Sequence, residues 1–169
     1  MSQMDLSALQ APLKQQYRED SASALIKLSA RATSDDPISC SVDIGRAVYE
    51  AQAHAGVGGS GTSPCSGDLL LGALAACAEI TCSMVAASQG VGTRSISVTV
   101  EGDLDLRGTL GISREAPVGF AALRLHFDID APDATPEQLD RLKRSSEAYC
   151  VVMQTLLHPP EIGVTWGGA

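Results

Sequence analysis

From Asp68 to about Gln89 the chain runs through some six helical turns almost without a polar face. Leu70, Ala73, Leu74, Cys77, Thr81 and Met84 fall on one stripe by three- and four-residue spacing. Gly72, Ala75, Ala76, Ala78, Ala86 and Ala87 keep the remaining faces small or apolar. Ser66 can cap the start, Asp68 suits the positive end of the helix dipole, and Gly90 can end the run. About 22 residues at 1.5 Å each span roughly 33 Å, the width of a small domain. A helix apolar nearly all round is a buried one, so the rest of the chain must cover it on more than one side.

The flanking segments supply that cover. Ile38 to Ile44 alternates apolar and polar residues as a half-buried strand does, and Leu25 to Ala30 is a second candidate, with Ser34-Asp35-Asp36-Pro37 as the turn between them. After the long helix, Ser95–Val100 and Ala121–Ile129 alternate again, and Thr109 to Ser113 is a shorter candidate. Thr135-Pro136-Glu137-Gln138 is a capping box with proline at the first helical position. A further helical run from about Ser146 to Leu157 stops before Pro159 and Pro160, and Ile162 to Trp166 reads as a closing strand. Strands, helix, strands, helix is an α+β order, predicting two antiparallel β-sheet regions around a long buried central helix. Residues 1–20, polar and interrupted by Pro12, read as an N-terminal arm, and 21–169 as one domain. A helix this apolar also needs more cover than one core of this size provides, which predicts a homodimer.

Charge narrows the partners. Twelve Lys and Arg against 20 Asp and Glu leave a net charge of −8, which repels phosphate backbones and anionic lipid surfaces, so neither nucleic acid nor membrane is expected as a partner. The first residues lack the basic start and apolar run of a secretory signal, and the most apolar stretch, Leu69 to Ala87, contains Glu79. A cytoplasmic location is therefore expected, where five cysteines serve thiol chemistry or packing rather than a disulfide framework.

No cofactor or metal is expected. The glycine-rich GVGGSGTSPCSG matches neither a dinucleotide fingerprint nor a phosphate loop with its lysine. The cysteines at 40, 65, 77, 82 and 150 form no CxxC, and the three histidines show no ligand spacing. Cys40 reads as core filler, Cys65 as a loop thiol, and Cys77 and Cys82 point about 140° apart around one helix. His126 falls on the polar side of its strand, and Glu79, two residues past Cys77, does not face it. Read from the residues alone, Cys77 is open between a buried packing residue and a reactive thiol.

The string Ser66-Gly67-Asp68-Leu69-Leu70-Leu71-Gly72-Ala73-Leu74-Ala75-Ala76-Cys77 resembles the central-helix signature of the OsmC/Ohr family, the osmotically induced and organic hydroperoxide resistance proteins. Tyr149-Cys150-Val151-Val152-Met153-Gln154-Thr155-Leu156 resembles that family's Cys-Pro-Val-x-x-Thr-Leu, with Val151 in place of proline. Thr135 to Leu139 resembles the helix that precedes it, and the likeness runs from about Leu25 to Trp166.

The resemblance implies an intertwined homodimer and a thiol-dependent peroxidase. It gives Cys77 the peroxidatic role, attacking an organic hydroperoxide and becoming a sulfenic acid. Cys150 becomes the resolving thiol, closing a disulfide that a dithiol reductant of the lipoyl type reopens. An apolar lining would favour organic over small polar peroxides. The family's activating arginine would stand in the first turn, which here reads Ser34-Asp35-Asp36-Pro37, with Arg31 and Arg46 to either side; Asp68 stands where the family often has glutamate. The alternative within the same fold is a non-catalytic protein that binds a small apolar ligand, its cysteines structural.

Overall fold

A computed structural model describes residues 6–36, 39–43, 54–59 and 64–167, with side chains at 11–26, 54–59 and 64–167. Among these residues four antiparallel strands, β1 (Leu25–Asp36), β2 (Ser39–Asp43), β3 (Ser95–Asp105) and β4 (Phe120–Asp130), form one sheet in the order β2-β1-β3-β4. Among the described residues five α-helices accompany it: α1 (Leu6–Glu19), α2 (Ser66–Ser88), α3 (Leu106–Thr109), α4 (Pro136–Tyr149) and α5 (Val151–Leu157). The fold is α+β, with an antiparallel sheet and a long central helix. The two sheet regions expected from the sequence are one sheet here, because β3 pairs with β1 on one side and β4 on the other.

The alternation read in the strands does what it should. Ile96, Val98 and Val100 of β3 are buried, and their partners Ile129, Phe127 and Leu125 on β4 lie half-buried beside them. Against that apolar surface α2 lays Leu71, Leu74, Ala75 and Ala78, each at most 1% exposed. Fully burying leucines of this kind stabilises the fold by about 1.5–3 kcal/mol apiece. Further along α2, Cys82, Val85 and Ala86 pack with Val91, Ile96 and Leu142 of α4. By length and composition α2 is apolar enough to cross a bilayer, although sequence reading found no such span. Its packing is that of a core helix, with Glu79 wholly buried and accepting a hydrogen bond from Ser83 Oγ at 2.8 Å.

The buried face of α2 is not the stripe singled out in the sequence. Leu70, Ala73 and Met84 of that stripe are exposed in the protomer, while Leu71, Ala75, Ala78, Cys82 and Ala86 meet the sheet or α4. An apolar periodicity around a whole helix cannot say which side the sheet takes.

Three local expectations are corrected. Thr109 to Ser113 is no strand: the Asp105 carboxylate caps the Arg107 N–H at 3.0 Å, starting the short α3, and Gly111, at φ 68°, turns the chain after it. The helical run from Ser146 to Leu157 is broken at Cys150, whose ψ of 103° leaves the helical region. Ile162 to Trp166 forms no strand: it pairs with none of the strands among the described residues, and Trp166 is 92% exposed. The first twenty residues contain α1, whose Tyr17 is buried against Ala24 and Leu106 and donates its hydroxyl to the Gly56 carbonyl at 2.6 Å. The Thr135 capping box is present as read, its hydroxyl accepting from Gln138 N–H at 3.3 Å.

Candidate functional site

Cys77 lies near the middle of α2, on the side that the sheet leaves free. That side is met by the junction of α4 and α5, where Cys150 ends one helix and begins the next. The break at Cys150 arises because its carbonyl starts α5, accepting from Gln154 N–H at 2.8 Å, while its own N–H still closes α4 on the Ser146 carbonyl at 3.1 Å. A residue pinned from both directions cannot swing away. Its side chain is wholly buried in the cluster of Leu71, Leu74, Ala75 and Ala78, with Cys77 packed against the same group.

The two thiols, 73 residues apart in sequence, are thereby brought into one buried cluster. The first turn of α5 also supplies the Val152 backbone N–H, which donates to Cys77 Sγ at 3.5 Å. One turn along α2 the Thr81 hydroxyl stands 4.0 Å from the same sulfur. Cys77 is half-buried, whereas Cys150 has no exposed surface. Burial pushes the Cys150 thiol up to about 11, helped by its contact with Cys77 and opposed by the backbone N–H groups of Met153 and Val152. At neutral pH Cys150 is therefore a protonated thiol beside Cys77, and Cys77 faces a backbone N–H, an S–H and a hydroxyl.

Beside Thr81 a cleft of about 590 Å³ opens between α2, α4 and α5, lined among others by Met84, Val85, Tyr149 and Val151. Its walls are mainly apolar, and Tyr149 and Val151 flank Cys150 directly in sequence.

The other sequence candidates lie elsewhere. Asp68 is in the first turn of α2, its carboxylate accepting from the Cys65 N–H at 2.7 Å, so it serves as a cap nine residues and roughly 13.5 Å of helix from Cys77. The N-cap is Cys65 rather than Ser66. Burial raises the Cys65 thiol, and it raises the Cys82 thiol too, the latter with the Glu79 carboxylate acting in the same direction. His54 holds its own loop, accepting from Gly56 N–H at 2.9 Å, while His126 and His158 are exposed. Arg31 is on β1, paired with Thr99 and Asp43; its side chain, that of Cys40, and all of Arg46 lie outside the described residues. Among the described residues no group of three or more His, Cys, Asp or Glu is placed to hold a metal ion. Sequence reading missed the contribution of Thr81, although its four-residue offset from Cys77 put the two on one helix face. It had no means of finding the Val152 N–H, a backbone group placed only by the fold.

A family model described as OsmC-like protein matches residues 58–165, from the glycine-rich loop through α5 and both thiols. The chain belongs to the OsmC-like family. Comparison with curated proteins gives no match. In this OsmC-like protein the matched stretch includes α2, β3, β4, α4 and α5, the elements that build the contact between Cys77 and Cys150.

Proposed function

We propose that this OsmC-like protein reduces organic hydroperoxides in oxidative-stress defence, with Cys77 as peroxidatic thiol and Cys150 as resolving thiol. The observation that carries the reading is the meeting of the two thiols: a half-buried Cys77 receiving the Val152 N–H, against a fully buried Cys150. A sulfenic acid formed on Cys77 has its trapping thiol already in contact, which limits further oxidation. The apolar walls of the adjoining cleft suit an organic tail.

Homodimers are typical of the family. The protomer leaves Leu70, Met84, Tyr149, Val151, Val164 and Trp166 exposed, and a second copy seated on this apolar surface would cover the open side of α2. Light scattering at micromolar concentration should give twice the 17.5 kDa chain mass.

Activity is tested with cumene hydroperoxide and a lipoyl-type dithiol. Wild type should consume the organic peroxide faster than hydrogen peroxide, and Cys77→Ser should be inactive. Stoichiometric peroxide without reductant should give a Cys77–Cys150 disulfide on peptide mapping, with Cys65 and Cys82 still reduced. Full activity in Cys77→Ser would overturn the enzymatic reading and leave binding of a small apolar ligand in its place.

A further inference from the structure

Reduction of a hydroperoxide requires a proton as well as a nucleophile. When the Cys77 thiolate attacks the terminal peroxide oxygen, an S–O bond forms and the O–O bond breaks. Sulfur is oxidised to a sulfenic acid, the peroxide is reduced, and an alkoxide departs. An alkoxide is a strong base, and its expulsion is slow unless a proton meets it. Cys77 cannot supply that proton, having lost its own to become the nucleophile. The Val152 N–H that touches Cys77 Sγ is a peptide group and keeps its hydrogen. Thr81, 4.0 Å away, is an alcohol and gains nothing by protonating another alkoxide.

We propose that Cys150, besides resolving the sulfenic acid, is the general acid of the first step, giving its thiol proton to the departing alkoxide. The inference rests on the peroxidase reading above and extends it. The geometry places the Cys150 thiol at the helix break, in the buried cluster that Cys77 packs against, held by hydrogen bonds on both sides of its backbone and shielded from bulk water. A thiol held at about 11 stays protonated at neutral pH, yet remains a far stronger acid than an alcohol. Proton transfer therefore runs downhill.

The same transfer arms the second step. Cys150 at rest is a poor nucleophile because it is not ionised. Losing its proton to the alkoxide leaves a Cys150 thiolate beside the sulfenic acid just formed. That thiolate attacks the Cys77 sulfur, the S–S bond forms, the S–O bond breaks, and the released hydroxide takes a proton from solvent to become water. The external dithiol then returns both cysteines to thiols. Resolution is timed by turnover rather than by ambient pH.

The test is the rate of Cys77 sulfenic acid formation in a single turnover, compared between two oxidants. tert-Butyl hydroperoxide expels an alkoxide and needs an acid; peroxybenzoic acid expels a carboxylate and hardly needs one. Cys150→Ala should slow the first oxidant more than the second, by about a hundredfold, the usual contribution of one positioned acid. In wild type the alkyl hydroperoxide step should also slow in deuterated water, and the peroxybenzoic acid step much less; this measurement requires no variant to fold. Equal slowing with both oxidants, or no slowing with either, would overturn the acid role while wild-type turnover still supports the peroxidase. Wild type that consumes neither oxidant would overturn the peroxidase reading, and this inference with it.

Discussion

The sharpest quantitative consequence of the site is the unreactivity of Cys150 toward alkylating agents in the native protein. In the unfolded chain its thiol has the ordinary value of 9.0, so about a tenth is thiolate at pH 8; in the fold, at about 11, the fraction is about a thousandth. Only thiolate reacts, so native Cys150 should be alkylated at least about a hundredfold more slowly than the same residue in urea. Iodoacetamide quenched at intervals, with the peptides quantified by mass spectrometry, gives both rates, and Cys77 in the same samples reports whether the fold has opened. The native Cys150 rate should climb about tenfold per pH unit from 8 toward 11. Cys77→Ala should quicken Cys150 only modestly, since burial outranks the contact with Cys77 as the cause. A native rate within about tenfold of the unfolded one would refute the idea that burial keeps this thiol protonated.

Stability should follow the same thiol. A group whose value is higher in the folded state keeps its full contribution below 9.0 and loses it as pH rises toward 11. Urea denaturation should show a loss of up to roughly 3 kcal/mol from Cys150 across that window, reduced to the extent that solvent relaxes the site. Cys65 and Cys82 shift the same way and add to the decline. Gly102→Ala should destabilise by about 1–3 kcal/mol, because a Cβ there would stand 2.5 Å from the Phe120 ring; an unchanged melting temperature would mean that the ring moves aside freely.

Sequence patterning made the architecture legible because its signals are local. Period-two alternation locates β3 and β4, and the Thr135 box starts α4 at the expected residue. It failed where a neighbour decides. Ile162 to Trp166 has the pattern of a strand, but a pattern cannot provide an edge to pair with. The helical run through Cys150 has no proline to announce its break; hydrogen bonds to Ser146 and from Gln154 fix that corner. The two thiols were named only through resemblance, since nothing in their spacing requires contact. Conversely, the donors around Cys77 come from α5 and from Thr81, neither of which carries a sequence signature of reactivity.

The route of the chain between the two thiols gives oxidation a mechanical meaning. The segment from Cys77 to Cys150 contains the second half of α2, β3, α3, β4 and α4, so a bond between the sulfurs would tie half the sheet into a covalent ring. A ring of that length removes enough freedom from the unfolded chain to be worth roughly 4 kcal/mol on polymer-entropy grounds. Oxidised molecules waiting for a reductant would therefore be the sturdier form, more resistant to unfolding and to proteases than those ready to react. The protein would persist best in its spent state, at the moment when reductant is scarce.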